Sequence, residues 1–595
     1  MTRWFIAAVV CLYATAFFRD QLDEWVDATV LPSLQAEIST EVRDRNGDLL
    51  RVYTNKDGRW VLPVGLNEVD PLYVQMLIRY EDKRFADHGG VDLVAMVRAM
   101  GQALWHGRVI SGGSTLTMQI ARLLEEGGTG RWHGKLRQIR VALALEQRLS
   151  KNEILTLYLN HAPFGGNIEG VRAASYAYFD RPPRRLTTAQ AALLVALPQS
   201  PETRRPDRSP LIATRARDTV LDRLAAEGVI DETTKTSAMR DAVTDVRHGL
   251  PAYAPHIADR LVVQNPSVTR HDVTLDRSLQ VTLETLAVRA THDRSDGVQI
   301  AMIVADHKSG EILASIGSAA YNAETQGGFI DLTQAIRSPG STLKPLIYGL
   351  GFDQGLIHPE TLIADRPTNF DGYMPQNFDG LFRGQVRVRT ALQHSLNIPA
   401  VAVTQALGPF HPKVPGGAPG LAVALGGVGL TLQELVQLYG AIGNGGVAVD
   451  LRVQSVPSAG FSPQTVMNRV AAWQIADILR DTPRPRGVRG LGIAYKTGTS
   501  YGHRDAWAVG FDGRYVVGVW MGRPDGTPVP GAFGGGLAAP VMFDAFARIN
   551  PNVTPIAPPP HETLILSTAQ LPLHLQQFGT RNDKIAHAPY IAFPP

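Results

Sequence analysis

The sequence predicts a multidomain fold: an N-terminal membrane helix, a mostly α domain, then an α/β (α+β) domain. Three observations predict it. Residues 4–18, WFIAAVVCLYATAFF, carry no charge between Arg3 and Arg19. From about 68 to 230 apolar residues recur at helical spacing, whereas from about 296 strand-like runs alternate with glycine-rich turns and helical runs. The chain also has 595 residues, too many for one hydrophobic core.

The apolar segment spans roughly 22 Å at about 1.5 Å per residue, short of a bilayer core of about 30 Å. Local thinning and a snorkelling Arg19 bridge the difference. Ala14-Thr15-Ala16 offers a signal-peptide cleavage site as the alternative, yet the cut would fall inside the apolar run, before Phe17 and Phe18. Residues 1–20 are therefore expected to be a retained signal anchor, and the bulk of the chain is exported in either case. Residues 21–59 read as a juxtamembrane linker with a hairpin, because Asn46-Gly47 separates two apolar alternations in EVRDRNGDLLRVY. Within 60–230, LYVQMLIRYEDKRF, LTMQIARLL, KLRQIRVALALEQRLSKNEILTLYLN and TTAQAALLVAL have helical periodicity, and Gly228 is a stop signal. Residues 231–295 read as a mixed linker. In 296–548, VQIAMIVADHKSGEILASIG reads as two strands joined at Ser309-Gly310, and RYVVGVWMG as a later strand. Residues 549–595 are proline-rich and read as an extended tail.

Composition excludes several classes. Hydrophobic content of 44% and charged content of 19% are those of an ordinary globular chain, not a disordered one. A net charge of +3 gives no reason to expect a nucleic-acid partner. Cys11 is the only cysteine, so no intramolecular disulfide can form.

In SPGSTLKP (338–345), Ser341 and Lys344 stand three apart at what reads as the opening of a helix, with Pro345 in its first turn. That spacing puts both side chains on one face, beside the positive end of the helix. A serine is a poor nucleophile without a base, and a lysine can serve when its pKa is lowered. Taken alone, the pair reads more readily as a capping serine and a solvated lysine. Downstream come HSLNIP (394–399) and YKTGTS (495–500). S-x-x-K, S-x-N and K-T-G in that order form the set used by penicillin-recognising serine acyltransferases. Ser341 attacks a carbonyl, Lys344 takes its proton, Ser395 relays a proton to the leaving nitrogen, and Asn397 orients Lys344 and the peptide. Lys496 meets a substrate carboxylate, and Gly498, between Thr497 and Thr499, lets a peptide lie along an edge strand. Backbone N–H groups of Ser341 and Thr499 are the expected oxyanion hole.

With RTALQHSLNIPAV, TLQELVQLYGAIGNGG and DAWAVGFDGRYVVGVWMG, residues about 296–545 resemble the transpeptidase domain of class A penicillin-binding proteins. That resemblance implies a serine transpeptidase/β-lactamase-like fold.

In the first block, RYEDKRFADHGGVD places Glu81 and Asp82 near His88, and GGSTLTMQIARLL adds a hydroxyl- and amide-rich turn. Beside Arg122, Lys135, Arg137, Arg140 and Lys151 these suggest base catalysis next to an anion; a salt-bridged helical surface is the plainer reading. E-D-x-x-F-x-x-H-x-G, G-G-S-T-L-T-x-Q and K-x-E-I-L-x-x-Y-L-N, continued by RPPRRLTTAQAALLVALPQSP, resemble glycosyltransferase family 51 over about 60–225. The resemblance implies a mostly α, lysozyme-like domain that joins a lipid-linked disaccharide to a growing glycan and releases a lipid pyrophosphate. Glu81 is implied as the base. Asp82, His88, Ser114, Thr115, Gln119, Lys135, Arg137 and Gln138 are implied as substrate-binding, with Lys135, Arg137 and Lys151 holding the pyrophosphate. Gln138 departs from the family's usual glutamate, and Gly134 from its arginine. A neutral amide cannot hold a cation as a carboxylate does, so a divalent cation (Mg) at this site is left open and no other cofactor is expected.

The whole pattern is most similar to the 1C branch of the bifunctional proteins. That branch usually carries a further small β-rich domain, expected to be absent here because the chain ends at APYIAFPP. The expectation is a bifunctional peptidoglycan synthase anchored by a single pass in the bacterial inner membrane, with its catalytic domains in the periplasm. Its expected partners are lipid-linked precursor, stem peptides, β-lactams, the membrane and other wall-synthesis proteins. The alternatives are a glycan polymerase whose second domain is a binding or sensor module, a scaffold, and a β-lactamase. The last is disfavoured because no Glu-x-x-Leu-Asn follows Ser395.

Overall fold

The computed structural model describes residues 2–106, 113–125, 132–294, 297–408, 420–454, 456, 462–488, 492–531, 533–550 and 552–579. They form two compact units, Met1–Glu41 with Val52–Ala252, and Val42–Arg51 with Tyr253–Pro595.

The first unit opens with helix Thr2–Asp27, which runs past the predicted end at residue 20. RDQLDEWVD contains no glycine or proline to stop it, and Arg140 holds its end, stacking on the Trp25 ring and donating to the Trp25 carbonyl. Among the described residues, Trp4–Asp27 is the one stretch long and apolar enough to cross a membrane. The helix measures about 36 Å in all, but Arg19, Asp20, Asp23, Glu24 and Asp27 leave its uncharged stretch at residues 4–18.

Helices Pro71–Glu81, Leu116–Leu124, Trp132–Arg148, Lys151–His161, Thr188–Ala196 and Pro210–Ala226 build the core of this unit. Polar side chains start them: Asp70 accepts from the Leu72 N–H, Thr115 from Met118, and Ser150 and Thr187 form capping boxes with Glu153 and Gln190. Two sequence runs break where a side chain outcompetes the helix. The periodic stretch 135–160 divides at Ser150, and the run that begins at Leu72 stops at Glu81. Asp82 leaves the helix because its carboxylate accepts from the Leu116 N–H at 2.9 Å and meets His88. Glu81 is thus a helix's last residue, beside a fixed turn.

The second unit is built on five antiparallel strands: β1 (Gln299–Asp306), β2 (Ile312–Ile316), β3 (Ala494–Thr499), β4 (Asp505–Phe511) and β5 (Tyr515–Gly522). Their order is β3-β4-β5-β1-β2, so β3, which carries K-T-G, is an edge. These strands read as continuous apolar runs because both faces are covered. One face (Ile300, Met302, Val304, Val517, Val519) meets helices Arg277–His292 and Ala538–Ile549. The alternate residues face helix Leu432–Gly443, whose Val436 and Leu432 lie over Gly518.

Two segments differ from the sequence reading. The stretch 231–295 holds helices Glu232–Arg240, Pro255–Gln264 and Arg277–His292, and the last supplies Leu279, Leu283 and Leu286 to the core. The tail is extended but bonded to the second unit: Gly513 N–H donates to Thr554 O at 2.9 Å, and Phe578 N–H to Leu362 O at 2.8 Å. Residues 580–595 lie outside the described residues.

A Cβ at Gly518 would overlap Val436 and Leu432, both fully buried. Gly518→Ala is expected to destabilise the second unit by about 1–3 kcal/mol, the scale of overpacking. Chemical denaturation would check this; an unchanged midpoint would refute the close helix–sheet contact.

Candidate active sites

In the second unit Ser341 sits in the 3-10 turn Gly340–Leu343, which leads directly into helix Lys344–Asp353 with Pro345 in its first turn. The turn is clamped from three sides. Trp507 Nε1 donates to Ser338 O at 2.8 Å, Tyr439 OH to Thr342 O at 2.7 Å, and Ser338 Oγ to Gly426 O at 2.8 Å. Gly340, at φ +52°, and Gly498 let the turn and β3 touch: a Cβ at Gly498 would stand 2.5 Å from Pro339 O. Ser341 and Thr499 are thereby brought to one cleft beside the sheet edge.

Lys344 follows on the same face. Its ammonium donates to Ser395 O at 2.6 Å, Asn397 Oδ1 at 2.6 Å and Ser395 Oγ at 3.3 Å. Lys496 reaches the same hydroxyl from β3, at 2.8 Å, and also donates to Thr497 O. Ser395 is at φ +56°, an uncommon conformation for a non-glycine residue, and this one residue meets Lys344 with both its carbonyl and its hydroxyl. Both lysines are buried, at 0% and 2% exposure, and neither forms an ion pair among the described residues. Burial, then the Lys496 charge, hold Lys344 well below the ordinary lysine range, with Asp365 opposing. Burial brings Lys496 down to about 7. The Ser341 hydroxyl is half-buried and makes no hydrogen bond among the described residues, so Lys344 is aimed at Ser395 and Asn397 instead. Thr497, Gly498 and Thr499 pair with β4, opposite Ala508, Trp507 and Ala506, and no strand pairs on the outer side of β3 among the described residues.

In the first unit both oxygens of Glu81 accept from amides: Oε2 from Gln119 Nε2 at 2.9 Å and Oε1 from Gln199 Nε2 at 2.7 Å. Arg204 steadies Gln199 through its Oε1 at 3.1 Å. Asp82 and His88 are buried together at 3.0 Å; Nδ1 of His88 accepts from the Gly90 N–H, so Nε2 carries the proton that Asp82 accepts. Thr115 Oγ1 donates to Gly90 O at 2.6 Å. These residues brace the turn beside Glu81.

The predicted anion-binding residues part company. Lys135 donates to Ser114 Oγ at 2.7 Å, and burial, then the Arg122 charge, lower its pKa. Lys135 and Arg122 have no acidic partner among the described residues, whereas Arg137 pairs with Glu125 at 2.6 Å and Lys151 with Glu146 at 2.8 Å. Lys151 also donates to the His88 carbonyl, which makes it part of the scaffold. Gln138 is buried on helix Trp132–Arg148. The sequence reading missed Gln199 and Arg204; the only signal was their place in and just after ALLVALPQSP.

The donor set does not fit a cation held by the protein. Amide and histidine N–H groups occupy Glu81 and Asp82, position 138 is neutral, and no group of three or more His, Cys, Asp or Glu is arranged for a metal among the described residues.

These two sites define a protein with separate sugar-transfer and acyl-transfer units. Residues 46–225 match the transglycosylase family and residues 300–412 the penicillin-binding protein transpeptidase domain. The chain belongs to the bifunctional class A penicillin-binding proteins. It is 41% identical over 552 residues to penicillin-binding protein 1C of Escherichia coli strain K12, covering 90% of this chain and 70% of that protein. It is 28% identical to penicillin-binding protein 1F of Bacillus subtilis strain 168, covering 81% and 73%. Among solved structures, penicillin-binding protein 1A from Haemophilus influenzae aligns over 88% of this chain and 94% of that one, with a TM-score of 0.49 and 16% identity. As a member of this family the chain is a peptidoglycan glycosyltransferase and D-Ala-D-Ala transpeptidase that takes peptidoglycan precursors and β-lactams and is membrane-anchored.

A lysine depressed on folding binds its proton more weakly in the native state, so stability rises with pH across the window between the two values. For Lys496 that window runs from about 7 to the ordinary 10.5. Lys496→Met is expected to raise the melting temperature of the second unit most below pH 7 and progressively less toward pH 10.5. Calorimetry against pH reads this; a pH-independent difference would contradict burial of the amine.

Proposed function

We propose that Ser341 is the acylating nucleophile and Lys344 its base, and that Glu81 is the base of glycan polymerisation. The observation that carries the first assignment is the convergence of Lys344, Ser395, Asn397 and Lys496 in one buried hydrogen-bonded cluster next to Ser341. Neutral Lys344 takes the Ser341 proton as Oγ bonds to the D-Ala carbonyl carbon. Ser341 and Thr499 N–H groups stabilise the oxyanion. The C–N bond breaks as Ser395 passes a proton to the leaving amine from the ammonium beside it, and an acceptor amine then displaces Ser341. Lys496 binds the substrate carboxylate, with Thr497, Gly498 and Thr499 pairing the peptide.

In the first unit Glu81, oriented by Gln119 and Gln199, takes the proton of the attacking sugar hydroxyl as its oxygen bonds to the anomeric carbon. The bond to the lipid pyrophosphate breaks, and Lys135 with Arg122 stabilises the charge released. Asp82, His88, Ser114, Thr115 and Gln138 shape that pocket, with Arg137 at its rim. The glycosyltransferase domain is assigned to 60–230 and the transpeptidase domain to 296–548.

The catalytic units are assigned to the periplasmic side. The support is family membership, together with the one apolar helix, Trp4–Asp27, that precedes both catalytic units among the described residues. Other wall-synthesis proteins of that compartment are its proposed partners.

Glu81→Gln should reduce polymerisation of lipid-linked disaccharide-peptide by about 10²-fold or more while leaving penicillin labelling intact. Polymerisation at the wild-type rate would sink that assignment.

With penicillin, a long-lived Ser341 adduct is expected by intact-mass spectrometry, because the chain lacks the lactamase deacylation pattern. Ser341→Ala should abolish it, and Lys344→Arg should nearly do so since a guanidinium keeps its proton. Acylation should fall at acid pH as Lys344 is protonated, and again above about 7 as Lys496 loses its charge. An adduct on another residue, or rapid turnover, would refute the reading.

A further inference from the structure

Asn397, which receives Lys344, is itself held by a buried residue that no motif contains. Its backbone N–H donates to Asn377 Oδ1 at 2.8 Å, and its Nδ2 to Gln376 O at 2.6 Å. The amide nitrogen of Asn377 donates in turn to Asp365 at 2.9 and 3.0 Å and to Leu381 O at 2.8 Å. Asp365 has 0% exposure, and its other donor is the Arg383 N–H at 2.9 Å. Among the described residues this carboxylate forms no ion pair. Both of its oxygens accept, and only from neutral amides, so no ion pair among the described residues offsets the cost of burying it.

We propose that Asp365 and Asn377 are positioning residues of the acyl-transfer site, joined to Lys344 through Asn397 and setting how readily Lys344 gives and takes its proton. The proposal rests on Lys344 being the base for Ser341. The groups facing Lys344 are Lys496, Asp365, Ser395 and Asn397, and those facing Asp365 include the buried Tyr348 and Arg383, the latter already paired with Asp379. Burial and Lys496 both push Lys344 toward the neutral amine, and Asp365 is the one charge that opposes them. Without it Lys344 would be neutral over a wider range but a weaker base toward the serine proton. The bond to Asn377 fixes the Asn397 backbone and the Nδ2 bond to Gln376 O fixes its amide, whose Oδ1 Lys344 meets at 2.6 Å.

The test is the second-order rate of acylation of the full chain by fluorescent penicillin, from about pH 5 to about pH 10. Asp365→Asn should move the acidic limb down by about one pH unit and lower the plateau about tenfold. Asn377→Ser should move the limb the same way, with a plateau loss of at least about tenfold. If Asp365→Asn does not fold, Asn377→Ser decides alone. A lowered plateau with an unmoved limb would mean a merely structural role and would overturn the proposal. Lys344→Met separates the two readings: labelling that persists there defeats the base assignment itself. Labelling lost there, with an unmoved limb in Asp365→Asn, defeats only the role given to Asp365 and Asn377.

Discussion

Two amines buried against one hydroxyl govern the second unit. Lys344 and Lys496 both reach Ser395 Oγ, at 3.3 and 2.8 Å, with no carboxylate bonded to either. Placing two ammonium groups there would combine desolvation with mutual repulsion, so the cluster favours at least one neutral amine. That is the condition a serine–lysine pair needs, and the fold imposes it before any substrate arrives. On the proposed reading, the proton that the cluster cannot comfortably hold is the one the chemistry moves.

The cluster exists because a strand edge is pressed against a helix opening. Residues alternate across β3: Tyr495 belongs to the core under helix Ala538–Ile549, so Lys496 points to the other face. Gly498 removes the one side chain that would hold β3 away from Pro339 and Thr342, and Gly340 does the same from the turn. Trp507, on the neighbouring strand, ties the sheet to Ser338. The sheet therefore fixes Lys496 while the helix start fixes Ser341 and Lys344. Their separation depends on backbone contact, not on flexible side chains.

Local pattern in the sequence foretold much of this, and long-range closure accounts for what it did not. Helical period marked the first unit, and the turn at Ser309-Gly310 joins β1 to β2 as expected. S-x-x-K, S-x-N and K-T-G could be placed because each carries its residues within a few positions. One of the two partners of Glu81 could not, since Gln199 lies 118 residues away and looks like any helix-end glutamine. Asp365, which ends the short strand Leu362–Asp365, and Asn377 in a loop were equally silent, because a lone buried polar residue has no periodicity to betray it. Helix Arg277–His292 was passed over as linker although Leu279, Leu283 and Leu286 repeat at core spacing; charged and hydroxyl residues between them masked the stripe. The early end of helix Pro71–Glu81 was set by Leu116, which the sequence could not bring near Asp82.

The two sites use basic residues in opposite ways, and composition cannot distinguish them. A leaving pyrophosphate calls for cations that no acid has already matched. Lys135 and Arg122 meet that condition, while Arg137 and Lys151, which look equivalent in the sequence, are neutralised by Glu125 and Glu146. Gln138, one turn beyond Lys135 on the same helix, adds no acid there. Acyl transfer calls instead for an amine that gives up its proton readily, and burial and the Lys496 charge both push Lys344 that way. On the proposed reading, an unpaired lysine binds an anion where it is partly exposed and acts as a base where it is fully buried. The difference lies in the surrounding dielectric, which only the folded chain supplies.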